Sequence, residues 1–180
     1  PFKHIDRFGT VILPFLLIVM KSPFVFGWAK PVPVNFYRLK NPLRDMVIVA
    51  IAGPMTNIAL AFVAATVLST MHNFALLDNP WLVRTLANFF FINIILAVFN
   101  MIPIPPLDGG RVAVGLLPQY LSYQLARLER YGFFIIITAL FIFPLIGKKI
   151  GISLEPIQWF IQSVSSFLIS VIAIITGLQI

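Results

Sequence analysis

The stretch Met46-VIVAIAGPMTNIALAFVAATVLS-Thr70 decides what kind of protein this is. It holds 25 residues and not one charged side chain. Wound as a helix at ~1.5 Å per residue, it more than covers the ~30 Å of a hydrocarbon layer. A second run of the same kind, Leu82–Ile104, follows a connection without Lys or Arg and has Arg84 near its start. A third, Ile157–Leu178, closes the chain. Tyr131–Gly147 and Phe8–Met20 are apolar but short; the latter reads either as a half-buried helix or as a span extended by its flanks.

Composition agrees. Of 180 residues, 59% are apolar and 11% charged, and mean hydropathy is +0.97. Soluble domains carry about a quarter charged residues. The expected architecture is therefore all-α: a polytopic transmembrane helical bundle of about four to five spans, with one Pro/Gly-rich connection and one interfacial amphipathic helix. The absence of cysteine excludes disulfides and thiolate zinc sites. A net charge of +7 would suit nucleic acid, but the Lys and Arg sit between apolar runs, where membrane topology accounts for them. No nucleic-acid partner is expected. The chain opens Pro-Phe-Lys-His-Ile-Asp-Arg, without a signal peptide, and reads as the middle of a longer protein.

Between the runs, residues 21–44 hold four prolines and Gly27, which rules out a continuous helix there. Residues 103–118 read as a turn region. Over Gln119–Arg130, Leu121, Leu125 and Leu128 share one helical face, as in a helix lying at an interface. Lys and Arg are dense in 21–44 and 105–130 and absent from 71–80, which puts the first two on the cytoplasmic side. Lys3 and Arg7 oppose this if Phe8–Met20 crosses. The expected domains are a membrane core over 1–147 and an additional transmembrane helix over 148–180.

The two clear spans run antiparallel, so distant residues can meet. Gly53, Pro54 and Asn57 fall roughly 10–16 Å along from Met46, and Asn100 roughly 27 Å along from Leu82. Both sets reach the same end, where Asp108 lies. Ala50, Gly53, Asn57, Ala61 and Ala64 form a small-residue stripe of the sort that lets membrane helices approach. Asn93 reads as a helix-to-helix hydrogen bond. Asn57 reads equally as packing or as site, and Asn100 leans to function because polar groups in membranes are costly. Asp108, in Pro-Leu-Asp-Gly, is either a turn former or a carboxylate ligand held at fixed depth between stiff prolines and the flexible Gly109 and Gly110. Spacing alone leaves both open.

Asn100-x-x-Pro-x-Pro-Pro-Leu-Asp-Gly-Gly110 resembles the second signature of the site-2 protease family, intramembrane zinc metalloproteases. Gly53-Pro-Met-Thr-Asn57 is similar to that family's Gly-Pro-x-x-Asn segment. Gly27-Trp-Ala-Lys-Pro-Val-Pro-Val34, with Asn41-Pro-Leu-Arg-Asp45, resembles the connection preceding it in bacterial members, and His4–Thr10 the approach before that, with Arg7 where proline is commoner. The resemblance implies that Asp108 is the third zinc ligand and that Asn100 positions substrate or site. It gives Gly53, Pro54 and Asn57 a supporting role, and makes Gly27, Pro31 and Pro33 a substrate path. It further implies a Zn2+ cofactor, single-span membrane proteins as substrates, and a multi-pass protein of the cell membrane with its active site near the cytoplasmic face.

One departure is large. The chain has no His-Glu-x-x-His; its histidines are His4 and His72. The two histidine ligands and the general-base Glu are expected upstream of Pro1, and this segment alone is expected to be inactive. The other readings are a catalytically inactive membrane scaffold of the same fold, and a small transporter or channel module using Asn57, Asn93 and Asn100 as a polar path.

Overall fold

A computed structural model describes residues 7–19, 41–73 and 79–179. The chain divides into two compact units, Pro1–Lys40 and Asn41–Ile180. In the first, six π-helical residues, Arg7–Ile12, lead into the seven of α1, Leu13–Val19. That described helix is shorter than the ~20 residues of a span. Gly27, Pro31 and Pro33 lie outside the described residues, as does His4.

In the second unit every element among the described residues is helical. α2 is Pro42–Asn73 and α3 is Pro80–Asn100. The short α4, Asp108–Leu116, and α5, Gln119–Arg127, follow. α6, Glu129–Ile137, continues through a π-helical stretch, Thr138–Ile142, into α7, Phe143–Ile150, and α8 is Pro156–Thr176. Four helices are long and apolar enough to cross a membrane: Leu43–His72, Pro80–Asn100, Glu129–Ile150 and Pro156–Thr176. The all-helical polytopic bundle expected from the sequence is what is found, and the run over 131–147 proves to be part of a longer helix.

The core explains the order. Ala61, Ala64 and Ala65 of α2 pack against Phe90, Ile94 and Val98 of α3 and Ile172 of α8. Alanine on one helix lets the bulky side chains of the next come close, which is how helices associate where lipid is as apolar as leucine. Large apolar side chains such as Phe62, Ile92, Phe134 and Ile174 stay exposed on the outside of the bundle. Pro54 interrupts α2 chemically but not structurally: it is fully buried, and the helix runs on through it. Within the Glu129–Ile150 helix, the carbonyl of Leu140 in the π-helical stretch accepts a hydrogen bond from Gln158 Nε2 of α8 at 3.2 Å. Pro144, four residues on, has no N–H to give this carbonyl its α-helical bond, and the neighbouring helix supplies a donor.

Three expectations need correction. α3 ends at Asn100, not Ile104. Pro103 has no N–H to donate and disfavours helix in the residue before it; Met101 N–H turns back to Ala97 O and Ile102 N–H to Phe99 O, both at 3.2 Å. Second, residues 103–118 are not a turn throughout, because α4 occupies 108–116. The interfacial helix is also shorter than 119–130, since α6 begins at Glu129. α5 buries none of its residues, and Ser122 Oγ holds it to α4 by donating to Val114 O at 2.7 Å.

Candidate metal-ligand site

Asp108 is the first residue of α4, so its carboxylate sits at a helix N-terminus, where backbone N–H groups point. What places it is the packing of α4 on α2. A Cβ built on Gly115 would collide with the Val47 side chain and touch Leu43 O at 3.2 Å. A Cβ built on Gly53 would lie 3.2 Å from Asp108 Oδ2. The two helices therefore lie antiparallel, with the start of α4 opposite Gly53 and its end opposite the start of α2. The meeting of Gly53 and Asp108 across 54 intervening positions is the convergence that antiparallel spans implied.

The loop before Asp108 is pinned from the same side. A Cβ on Gly109 would come within 3.0 Å of the Met101 and Ile102 carbonyls, and one on Gly110 equally close to Ile104 C and Pro105 N. Leu107 N–H donates to Ile104 O at 3.0 Å. Gly109 and Gly110, read from sequence as a flexible exit, are instead buried helical residues whose missing side chains let α4 press on loop backbone. Asn100 ends α3 just before the Met101–Ile102 backbone that Gly109 meets, and is half-buried. Asn57, also half-buried, lies one turn beyond Gly53 on α2.

The small-residue stripe divides. Ala50, Ala61 and Ala64 are buried, whereas Gly53 is exposed. Asp108 thus faces an open stretch of α2 rather than a closed pocket wall. Asn93 is buried, and its Nδ2 donates to Phe89 O at 2.8 Å, within its own helix. Among the described residues the helix-to-helix bond expected for it is not found. His72 lines a cleft of about 220 Å3 with Leu68, Phe90 and Leu178; nineteen residues past Gly53, it is roughly 28 Å farther along α2. It is no partner for Asp108.

Asp108 is half-buried, and burial pushes its carboxyl above the ordinary carboxylate range while the Arg111 guanidinium works in the other direction. Arg111 in turn reaches Glu129 Oε1 at 4.0 Å, with both side chains exposed. Sequence reading missed Gly115, Gly132 and the helical nature of α4. The signal for the last was present: an acidic residue in a first turn, following Pro-Pro-Leu, is a helix start.

Residues 71–144 match the family model described as Peptidase family M50. The chain resembles the site-2 protease family. Two relatives share the name "Putative zinc metalloprotease". YwhC of Bacillus subtilis (strain 168) is 39% identical over 149 residues, 81% of this chain and 64% of its own length. MJ0611 of Methanocaldococcus jannaschii is 38% identical over 104 residues, 57% of this chain and 49% of its own. The chain therefore spans less than two thirds of each relative it matches. No solved structure matches it.

A zinc centre needs about four donors, three of them from protein in a catalytic site. Among the described residues no three His, Cys, Asp or Glu side chains stand close enough to hold a metal. Asp108 is a donor of the kind a zinc centre takes and is half-buried beside an exposed Gly53; the described residues alone do not fit the ion.

Proposed function

We propose that this chain supplies the aspartate ligand and the surrounding helical scaffold of an intramembrane zinc metalloprotease. The donors it lacks would come from residues outside this sequence. The observation that supports this best is the Gly53–Asp108 juxtaposition: a carboxylate fixed at a helix start, against a helix face that a side chain would close. When bound, zinc polarises a scissile carbonyl and acidifies a water. The chain's own part is to hold. α4 presents Asp108, Gly53 leaves room beside it, and Asn100 and Asn57 are amides on the same end of the bundle that can position an extended substrate backbone. Substrates of this reading are membrane proteins with a single transmembrane segment, cut near the cytoplasmic face. Impermeant-thiol labelling of an exposed Gln124→Cys checks that face, since reaction from outside the cell would reverse it.

Zinc content tests the ligand assignment. The protein of the complete reading frame should retain about one zinc per chain. Asp108→Asn should lower zinc affinity at least about ten-fold, the least that mutations around metal ligands usually cost. A full zinc load in Asp108→Asn would remove Asp108 from the site. The shortage of donors among the described residues favours one second reading, an inactive scaffold of the same fold. Zinc-free protein from the unmutated reading frame would decide for it.

A further inference from the structure

Asp108 hangs from a loop that is gripped twice. Gly110 of α4 presses on Ile104 and Pro105 from one helix. From another, Gly132 of α6 does the same: a Cβ built there would fall within 3.0 Å of Pro105 C, Pro105 O and Pro106 Cδ. Most of these are backbone atoms, and the remaining one belongs to a closed ring, so none is the far end of a flexible side chain. Gly132 is buried, in the first turn of the Glu129–Ile150 helix. The carboxylate lies three residues beyond Pro105, along a segment stiffened by two prolines and by the bonds Leu107 N–H to Ile104 O and Arg111 N–H to Leu107 O. A movement at Pro105 has little slack in which to disappear before Asp108. The Arg111–Glu129 pair ties α4 to the same turn of α6, although weakly, as exposed pairs do.

We infer that Gly132 is a positioning residue: by letting α6 seat directly on the Pro105 peptide, it sets where Asp108 stands relative to Gly53. Ordinary packing of membrane helices through a glycine would need no particular partner. Here the partner is the ligand-bearing loop, and the contact comes from a helix that carries none of the residues of the candidate site.

The chain has no cysteine, so an engineered pair gives a clean distance probe. Gly53→Cys with Asp108→Cys, oxidised in membranes, reads the α2–α4 spacing at the site. Gly132→Ala should slow this cross-link at least about five-fold, because a disulfide tolerates under ~1–2 Å of Cβ displacement. Gly147→Ala is the control. It lies in the same continuous helix, and its Cβ would crowd Ile152 O and Leu154 N, away from the loop. It should lower stability while leaving the cross-linking rate unchanged. Equal rates in Gly132→Ala and the parent, or equal slowing in both glycine variants, overturns the inference. Where Gly132→Ala does not fold, Pro106→Ala removes the ring atom that Gly132 faces, and should slow the cross-link about two-fold; an unchanged rate again overturns it.

A zinc arm on the complete reading frame rests on the function proposed above. Weaker zinc binding in Gly132→Ala should accompany the slower cross-link. A slowed cross-link in a protein that never binds zinc leaves the positioning role standing and removes only the metal.

Discussion

The middle of the bundle and its Asp108 end are held by different physics. In the middle, Ala61, Ala64 and Ala65 receive Phe90, Ile94 and Val98, so side chain meets side chain. At the Asp108 end the contacts run through glycine onto backbone: Gly109 on Met101 and Ile102, Gly110 and Gly132 on Pro105. Side-chain packing yields by rotamer changes and small shifts. Backbone-on-glycine packing has no rotamer to change, so an added methyl has to move a whole element. A region built that way fixes one group in place, which a metal ligand requires and a bundle interior does not.

The comparison is broken most directly at Gly110. Gly110→Ala should cost more than the ~1–3 kcal/mol usual for overpacking, because the colliding atoms are backbone. Loss of folded protein in detergent, or a midpoint in an SDS titration lowered well below the parent's, is the expected result. A near-normal midpoint would mean that the loop is compliant and that the two regions do not differ.

A smaller effect is expected in the middle. Ile94→Ala removes a fully buried side chain from the α2–α3–α8 cluster. In a soluble core such a cut costs ~2–5 kcal/mol. In lipid much of the transfer part is missing, which leaves about 1–2 kcal/mol of lost packing. The same SDS titration measures it, and the cross-link between positions 53 and 108 should not respond. A response there would show that the two regions are mechanically one.

The smallest effect is expected at Asn93. Its amide is bonded to its own helix, so Asn93→Leu should change stability by no more than about 0.6 kcal/mol, the average for hydrogen bonds between membrane helices. A loss several times larger would reveal a helix-to-helix role, and would return Asn93 to the polar path that a transporter needs.

Much of this was legible. Uncharged runs of span length announced the helices because the hydrocarbon layer leaves a polypeptide few other ways to satisfy its backbone. Antiparallel order then brought Gly53 and Asp108 to one end before any coordinates. Most of the errors fall in residues 100–118. There prolines and paired glycines carry the local signal of a turn, while the tertiary packing of α4 on α2 makes the glycines helical. Gly132 gave no signal in an apolar run, because a glycine's purpose is the atom it allows to come near, and that atom belongs to another part of the chain.

The sequence by itself pointed to a helical membrane protein, to the runs long and apolar enough to cross, and to one end shared by Gly53 and Asp108, and it holds no His-Glu-x-x-His. Those follow from hydrophobic length, charge placement and residue counts, all local quantities. Only the tertiary structure decided that Asp108 opens a helix, that it faces Gly53, and that α6 bears on its loop. Those depend on backbone-to-backbone distances between segments far apart in sequence, which no local pattern encodes.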